Sequence, residues 1–265
     1  MQNWIVANEP WLRLAAFGFA LVLLLTVEGL WPRRGGPMQH RVRWTANLSI
    51  VVLDVLLVRL LIPLGATGTA IWAEVHGYGV FHRTDWPLAV EAALAFLALD
   101  LLIYWQHRLF HLIPWGWRLH RMHHSDVEFD ATTGVRFHPG EILLSMLIKM
   151  IAVLALGAPV VAVILFEIAL NATSLFNHAN LRLPPALDRA LRACVVTPDM
   201  HRVHHSVHRH EHDSNYGFNL SWWDRLFGSY TAQPADGHTT MQVGLARFRE
   251  PADQTITRLL TQPVA

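Results

Sequence analysis

Residues 88–111 read LAVEAALAFLALDLLIYWQHRLFH, an apolar run that closes on two histidines four positions apart. Residues 88–106 hold no charge besides Glu91 and Asp100. A helix needs roughly 20 mostly apolar residues to cross a bilayer, so this stretch reads as a span with His107 and His111 at its end. Residues three and four apart share a helix face, which lines up Asp100, Tyr104, His107 and His111. Charges within spans are expensive and face a bundle interior or a cavity. For Asp100 two roles stay open: support of a ligand imidazole, or a polar tie between helices.

The composition fits a membrane setting. Of 265 residues, 52% are hydrophobic and 15% charged, with a mean hydropathy of +0.27, where soluble domains carry about 25% charged residues. Residues 14–30 and 46–65 are further spans, and 142–176 is long enough for two short ones broken at GAPV, 157–160. About four to five spans in an all-α bundle follow. Residues 14–30 lack a basic start and a cleavage site, so they read as an anchor and not a signal peptide. Arg33, Arg34, Arg41 and Arg43 lie between the first two spans, and short basic loops stay cytoplasmic. That places residues 65–87 on the outer, interfacial side, and the remaining histidine-dense regions with the C-terminus in the cytoplasm.

The net charge of +1 and scattered arginines give no field for nucleic acid. Cys194 is the only cysteine, which excludes an internal disulfide and any thiolate-bound zinc or iron–sulfur centre. Histidine and carboxylate remain as metal ligands.

Seventeen histidines are present, five of them in HRLFHLIPWGWRLHRMHH at 107–124. HRVHH at 201–205 repeats the HxxHH spacing of His120, His123 and His124. Thr197 followed by Pro198 is a sound helix start, which sets His201, His204 and His205 on one helical stretch. Eight imidazoles on three helical faces exceed the coordination of one ion, so two ions are the natural count. His178, just after the last span, and His138, in RFHPGE, are further candidates, with a pocket or structural role also open for His138. Glu167, Asn171, Ser174 and His178 form a second polar stripe, in which Asn171 reads as pocket lining. Glu141 after Pro–Gly reads as an acidic residue favouring a helix start. His208, His210 and His212 alternate without helical phase and read as exposed.

Nitrogen-rich, thiolate-free sites suit zinc, copper, iron or nickel, and the spacing selects none of them. At the end of apolar spans such a site points to oxygen chemistry on a lipid. A membrane metal transporter would place its ligands near the midplane within internal repeats, whereas these cluster at one face. A catalytically silent metal- or lipid-binding membrane protein is a further alternative. A zinc-dependent membrane hydrolase would want a carboxylate base beside its ligands, as in HExxH, and that motif does not occur.

HxxxH, HxxHH and a distant HxxHH, in this order and with RFHPGE, NHANL, TPDMHRVHH, DSNYG and WWDRLFGSY, resemble the fatty acid hydroxylase / sterol desaturase superfamily. The likeness covers roughly residues 90–230. It implies an integral-membrane helical bundle under a cytoplasmic, histidine-rich helical cap, and O2-dependent hydroxylation or desaturation of an acyl chain, sphingolipid or sterol. Carried over by position, the ligands of two iron ions are His107, His111, His120, His123, His124, His201, His204 and His205, with His178 added. Zinc would substitute for iron in recombinant material. Electrons would come from an external donor, a ferredoxin or a cytochrome b5-like protein. HRHEH after the last box departs from the pattern. The chain then divides into spans and an interfacial loop (1–87), a catalytic domain (88–230) and a C-terminal tail (231–265).

Overall fold

A computed structural model describes residues 2–35 and 40–265, and the described residues form helices and turns with no β-strand. Helices α1 (Gln2–Ala7), α2 (Glu9–Leu30), α3 (His40–Leu61), α4 (Gly65–His76), α5 (Leu88–Leu112) and α6 (Pro114–His124) come first. They are followed by α7 (Pro139–Leu156), α8 (Val160–His178), α9 (Pro185–Arg192), α10 (Pro198–His204), α11 (Arg209–His212), α12 (Trp222–Leu226) and α13 (Ile256–Thr261).

Five segments are long and apolar enough to cross a membrane: Glu9–Leu30, Arg41–Arg83, Leu88–Leu112, Pro139–Leu156 and Val160–His178. Their outward side chains are apolar, with Phe19 71%, Leu60 75% and Ile151 68% exposed. An apolar surface of that extent is out of place in water and at home against lipid. The all-α membrane bundle expected from the sequence is present.

Helix α8 is the centre of the bundle. Its Val163, Ile164 and Phe166 are fully buried and pack with Ala66 and Ala70 of α4, Ala95 and Leu99 of α5 and Val153 of α7. Small residues at these contacts let backbones approach closely. Residues 65–76, expected to belong to an interfacial loop, form α4, with Ala66, Thr69, Ala70 and Ala73 turned inward. The break at 157–160 falls where it was expected, because Gly157 ends α7 at φ +65°. The turn after α4 rests on it: a Cβ on Gly79 would lie 2.2 Å from the Gly157 nitrogen.

Charges inside the bundle are paired. Glu167 accepts from Lys149 at 2.9 Å and lies 2.9 Å from Arg13, which also pairs with Glu9. Glu167 therefore ties helices together and supports no imidazole. At the end of α8 away from Gly157, the remaining elements build a cap. Arg43 is fully buried and donates to Asp126 at 2.5 and 2.8 Å and to Asp130 at 2.7 Å. Against the opposing effect of burial, Arg43 and Arg136 hold the Asp126 carboxyl below the ordinary carboxylate range. Arg33 pairs with Asp199 at 3.2 Å, so the residues directly after α2 lie at the cap end of the bundle.

Residues 231–265 are part of this cap. Leu259 of α13 packs on Ala46, Ile50 and Met122, and Met241 and Val243 pack on Phe129. Gln254 and Gln262 donate to the carbonyl and hydroxyl of Ser125, directly after α6. The C-terminal stretch thus holds the end of the helix that carries His120, His123 and His124.

Removing one partner of a buried ion pair costs about 3–5 kcal/mol. Arg43→Met, which strands Asp126 and Asp130, is expected to destabilise the protein by about that much. Thermal melts in nanodiscs check this, and a melting temperature equal to wild type rejects Arg43 as the brace of the cap.

Candidate metal centre

Nine of the histidines lie at the C-terminal ends of four helices. His107 and His111 close α5, His120, His123 and His124 close α6, His178 is the last residue of α8, and His201, His204 and His205 close α10. A helix C-terminus carries partial negative charge and favours a nearby cation. The α5–α6 corner is sharp because Pro114 ends α5 and begins α6 after the single residue Ile113. Thr197 caps α10 with Pro198 at its first position, as the sequence predicts.

The ring nitrogens gather in two groups. His107, His111, His120, His124 and His204 form one, His123, His178, His201 and His205 the other, and within each the donor atoms lie within 4.8 Å of one another. All nine side chains are buried. Consecutive helical residues diverge by about 100°, so neither HxxHH serves one ion. His120 and His124 enter the first group and His123 the second, while His201 and His205 enter the second and His204 the first. Each triplet therefore spans both groups.

For His107, His120, His178 and His204, hydrogen bonds fix which nitrogen can ligate. His107 Nδ1 donates to the Tyr216 carbonyl at 2.8 Å, His204 Nδ1 to that of Ser214 at 2.6 Å, and His178 Nδ1 to that of Ser174 at 2.6 Å. His120 Nδ1 donates to the Glu141 carboxylate at 2.7 Å. A neutral ring has one N–H, so in each case Nε2 carries the lone pair. These lone pairs converge. His107 Nε2 is 3.0 Å from His120 Nε2, and His178 Nε2 is 3.1 Å from Nε2 of His123, His201 and His205. Nε2 of His111, His124 and His204 is buried with no protein partner.

That arrangement fits a metal in each group. Buried nitrogens without partners cost about 1–3 kcal/mol each, and facing lone pairs repel; one cation removes both penalties. Two imidazole nitrogens at about 2.1 Å from one ion and at right angles to each other are about 3.0 Å apart. No thiolate or carboxylate belongs to either group, so the donor set is all imidazole. Burial, and then the neighbouring imidazoles, holds His123, His124, His204 and His205 well below the usual imidazole range. Burial pushes His120 down to about 3. The rings are neutral and able to ligate near pH 7.

Three further candidates lie outside both groups. His138 joins neither group. It caps α7, its Nδ1 accepting from Gly140 N–H at 3.1 Å, which leaves the proton on Nε2 facing the Leu260 carbonyl at 3.2 Å. With both nitrogens engaged it keeps no lone pair for a metal. Asn171 is exposed on α8 and lies outside both groups. Asp100 meets no imidazole: it accepts from Asn219 N and Nδ2, Leu220 N and Trp223 Nε1 at 2.8–3.3 Å. It anchors the segment whose preceding residues, Ser214 and Tyr216, present their carbonyls to His204 and His107.

In the sequence, Glu141 of RFHPGE has a helix-start role and no sign of its contact with His120. The Pro–Gly start sets Glu141 on the first turn of α7 beside α6, within reach of His120. The backbone carbonyls leave no side-chain pattern to find. Gly134 is a second omission: a Cβ there would lie 2.5 Å from the Ser174 carbonyl oxygen, so only glycine lets this turn meet α8 beside His178.

A family model described as fatty acid hydroxylase matches residues 92–229. Similar proteins include an ornithine lipid hydroxylase of Rhizobium tropici, 26% identical over 83% of this chain and 65% of that protein. Human alkylglycerol monooxygenase is 30% identical over 52% of this chain and 30% of its own length. A Delta(7)-sterol 5(6)-desaturase of Aspergillus fumigatus is 27% identical over 62% of this chain and 57% of its own length. The chain thus spans less than two thirds of each of these relatives. No solved structure matches it.

Glu141→Gln keeps an acceptor for His120 but loses its charge, and is expected to weaken metal retention by ~10–100-fold with the fold intact. Asp100→Asn is expected to lower the melting temperature while metal content per folded chain stays at the wild-type level. Metal analysis and melting on the same two samples decide this, and equal metal loss in both variants rejects the division of roles.

Proposed function

The chain belongs to the fatty acid hydroxylase family, and on that premise we propose that it is an O2-dependent oxidoreductase that hydroxylates a lipid at an unactivated C–H bond with two iron ions. The observation that carries this reading is the pair of all-imidazole groups buried where apolar spans end. Relatives named for ornithine lipid and alkylglycerol oxidation support a lipid substrate. When bound, the irons supply the redox chemistry with O2 that such a bond requires.

The chain's own task is to hold, orient and exclude water. The two histidine groups hold the ions, and Glu141 with the carbonyls of Ser174, Ser214 and Tyr216 sets the rings. Phe137 stacks on His123 at 4.5 Å and Phe218 meets His107 edge-on at 5.4 Å. Both phenylalanines belong to the apolar core of the bundle, so an alkyl chain reaching the ions from the membrane side stays out of water. Electrons come from an external donor, a ferredoxin or a cytochrome b5-like protein, that docks on the cap. The cap faces the cytoplasm, in keeping with the basic residues directly after α2 at its end.

Reconstitution with iron, a reductase–ferredoxin couple and labelled O2 tests the activity. A lipid carrying one labelled oxygen is expected, and is lost in His123→Ala and His204→Ala. A new double bond without label would replace hydroxylation by desaturation, and an unlabelled, unchanged lipid pool would overturn the reading. Cys194, the only cysteine and exposed in the cap, reports the orientation. A membrane-impermeant maleimide is expected to label it in inverted vesicles only, and labelling in intact cells would reverse the topology.

A further inference from the structure

The HRHEH stretch at 208–212 has no part in the two imidazole groups, yet it ends against one of them. Helix α11 carries His212 to a position where its ring stacks on Trp117 at 5.4 Å. From there it lies 6.0 Å from the His111 ring and 5.9 Å from the His124 ring. Asp213 follows. Its Oδ1 lies 3.3 Å from His111 Nδ1 and 3.8 Å from His212 Nε2. One donor from each of His111, His212 and Asp213 falls within 4.8 Å of the others.

Exposure is graded across this corner. The His111 side chain is fully buried, that of His212 is 12% exposed and that of Asp213 29%. Beyond them His208 and His210 are 41% and 74% exposed, their rings stacked at 5.8 Å. His212 and Asp213 are thus the donors through which solvent reaches the five-histidine group at this corner.

The geometry points to a third, outer cation site made of His111, His212 and Asp213, which takes a divalent transition-metal ion from solvent and passes it to the five-histidine group. The proposal rests on the reading of that group as a metal site. Two imidazoles and a carboxylate with open positions suit ions such as ferrous iron. A neutral imidazole has one lone pair, so His111 serves the outer ion through Nδ1 or the inner one through Nε2, never both. On transfer the ring proton changes nitrogen, exchanging with solvent through Asp213, and the new Nδ1–H donates to Asp213 as in the present structure. The outer site is therefore filled only while the inner group is empty. Arg209 stands against it, its Nε 3.2 Å from Asp213 Oδ2 on a side chain 85% exposed, and must swing away for an ion to bind.

Uptake of cobaltous ion by chelator-stripped full-length protein in nanodiscs, followed by its visible absorption in a stopped-flow mixer, tests this. In the wild type a fast phase is expected before a slower inward transfer. His212→Gln and Asp213→Asn, the latter keeping an acceptor for His111, should each slow uptake by about tenfold, the lower end of the effect seen for groups supporting a metal site. Final stoichiometry and the rate of loss to a chelator should match wild type. Arg209→Gln should speed uptake. Unchanged uptake in all three variants overturns the outer site, as does faster loss with normal uptake, which would make His212 and Asp213 mere braces of His111. A wild type that takes up no cobalt overturns the inner metal centre and the outer site together.

Discussion

A buried imidazole can ligate only through the nitrogen that lacks a proton, so its other nitrogen gains from an acceptor in the right place, which five of the rings have. The rest of the cap follows from that demand. Three of the acceptors are backbone carbonyls, of Ser174, Ser214 and Tyr216, and a carbonyl aims only as well as its segment is held. The segment after α11 is accordingly held at several points. Asn215 adopts φ +51°, a left-handed conformation that asparagine tolerates better than most residues, and its amide bonds Met200 and Thr231 carbonyls. Asp224 accepts from Tyr216 N at 2.7 Å and Gly217 N at 2.8 Å. Asp100 fastens the next turn to α5. These carboxylates act one layer away from the two histidine groups, through the backbone that orients the rings.

The same demand explains the charges behind α6. Four helices bring their C-terminal ends together around the two groups, and those partial negative charges repel until cations sit between them. Arg43 and Arg136 face Asp126 and Asp130 in a fully buried, charge-balanced set beside that junction. Breaking such a set would leave uncompensated charge in low dielectric, so it fixes the cap in one arrangement. Metal binding and cap folding are then linked, since ions that bind only the assembled groups stabilise that assembly.

Much of this was legible in the sequence because two periodicities carry it. Spans announce themselves by length and hydropathy, and the α7–α8 break by a glycine that must take positive φ. The histidine spacings pointed to eight of the nine gathered rings, and the place of His178 after the last span pointed to the ninth. Illegible were the relations that cross the chain. Asp100 and His107 share a helix face, which suggested a shared purpose, but a side chain's partner is set by what packs against it, and residues 219–223 pack there. His138 shares the composition of the ligand runs yet spends both nitrogens on a helix start. Residues 231–265 show no strong period, and their role depends on Leu259, Gln254 and Gln262 meeting α3 and the end of α6 in space.

The division into two histidine groups is itself written in the helical phase of the motifs. An HxxxH pair, one turn apart, aims both rings at one point, as His107 and His111 do for the first group. Adding a histidine just before the second of such a pair gives HxxHH, and that extra ring, about 60° from the first ring and about 100° from the second, aims at a different point. One HxxHH therefore cannot close on a single ion without bending its helix. Two of them can complete each other if each gives its i, i+4 pair to one site and its i+3 ring to the other, with the assignments exchanged. That exchange is what His120, His123 and His124 make with His201, His204 and His205. The exchange leaves three donors in each group, and His107 and His111 on one side and the lone His178 on the other bring these to five and four. The unequal membership of the two groups follows from motif spacing plus helix geometry.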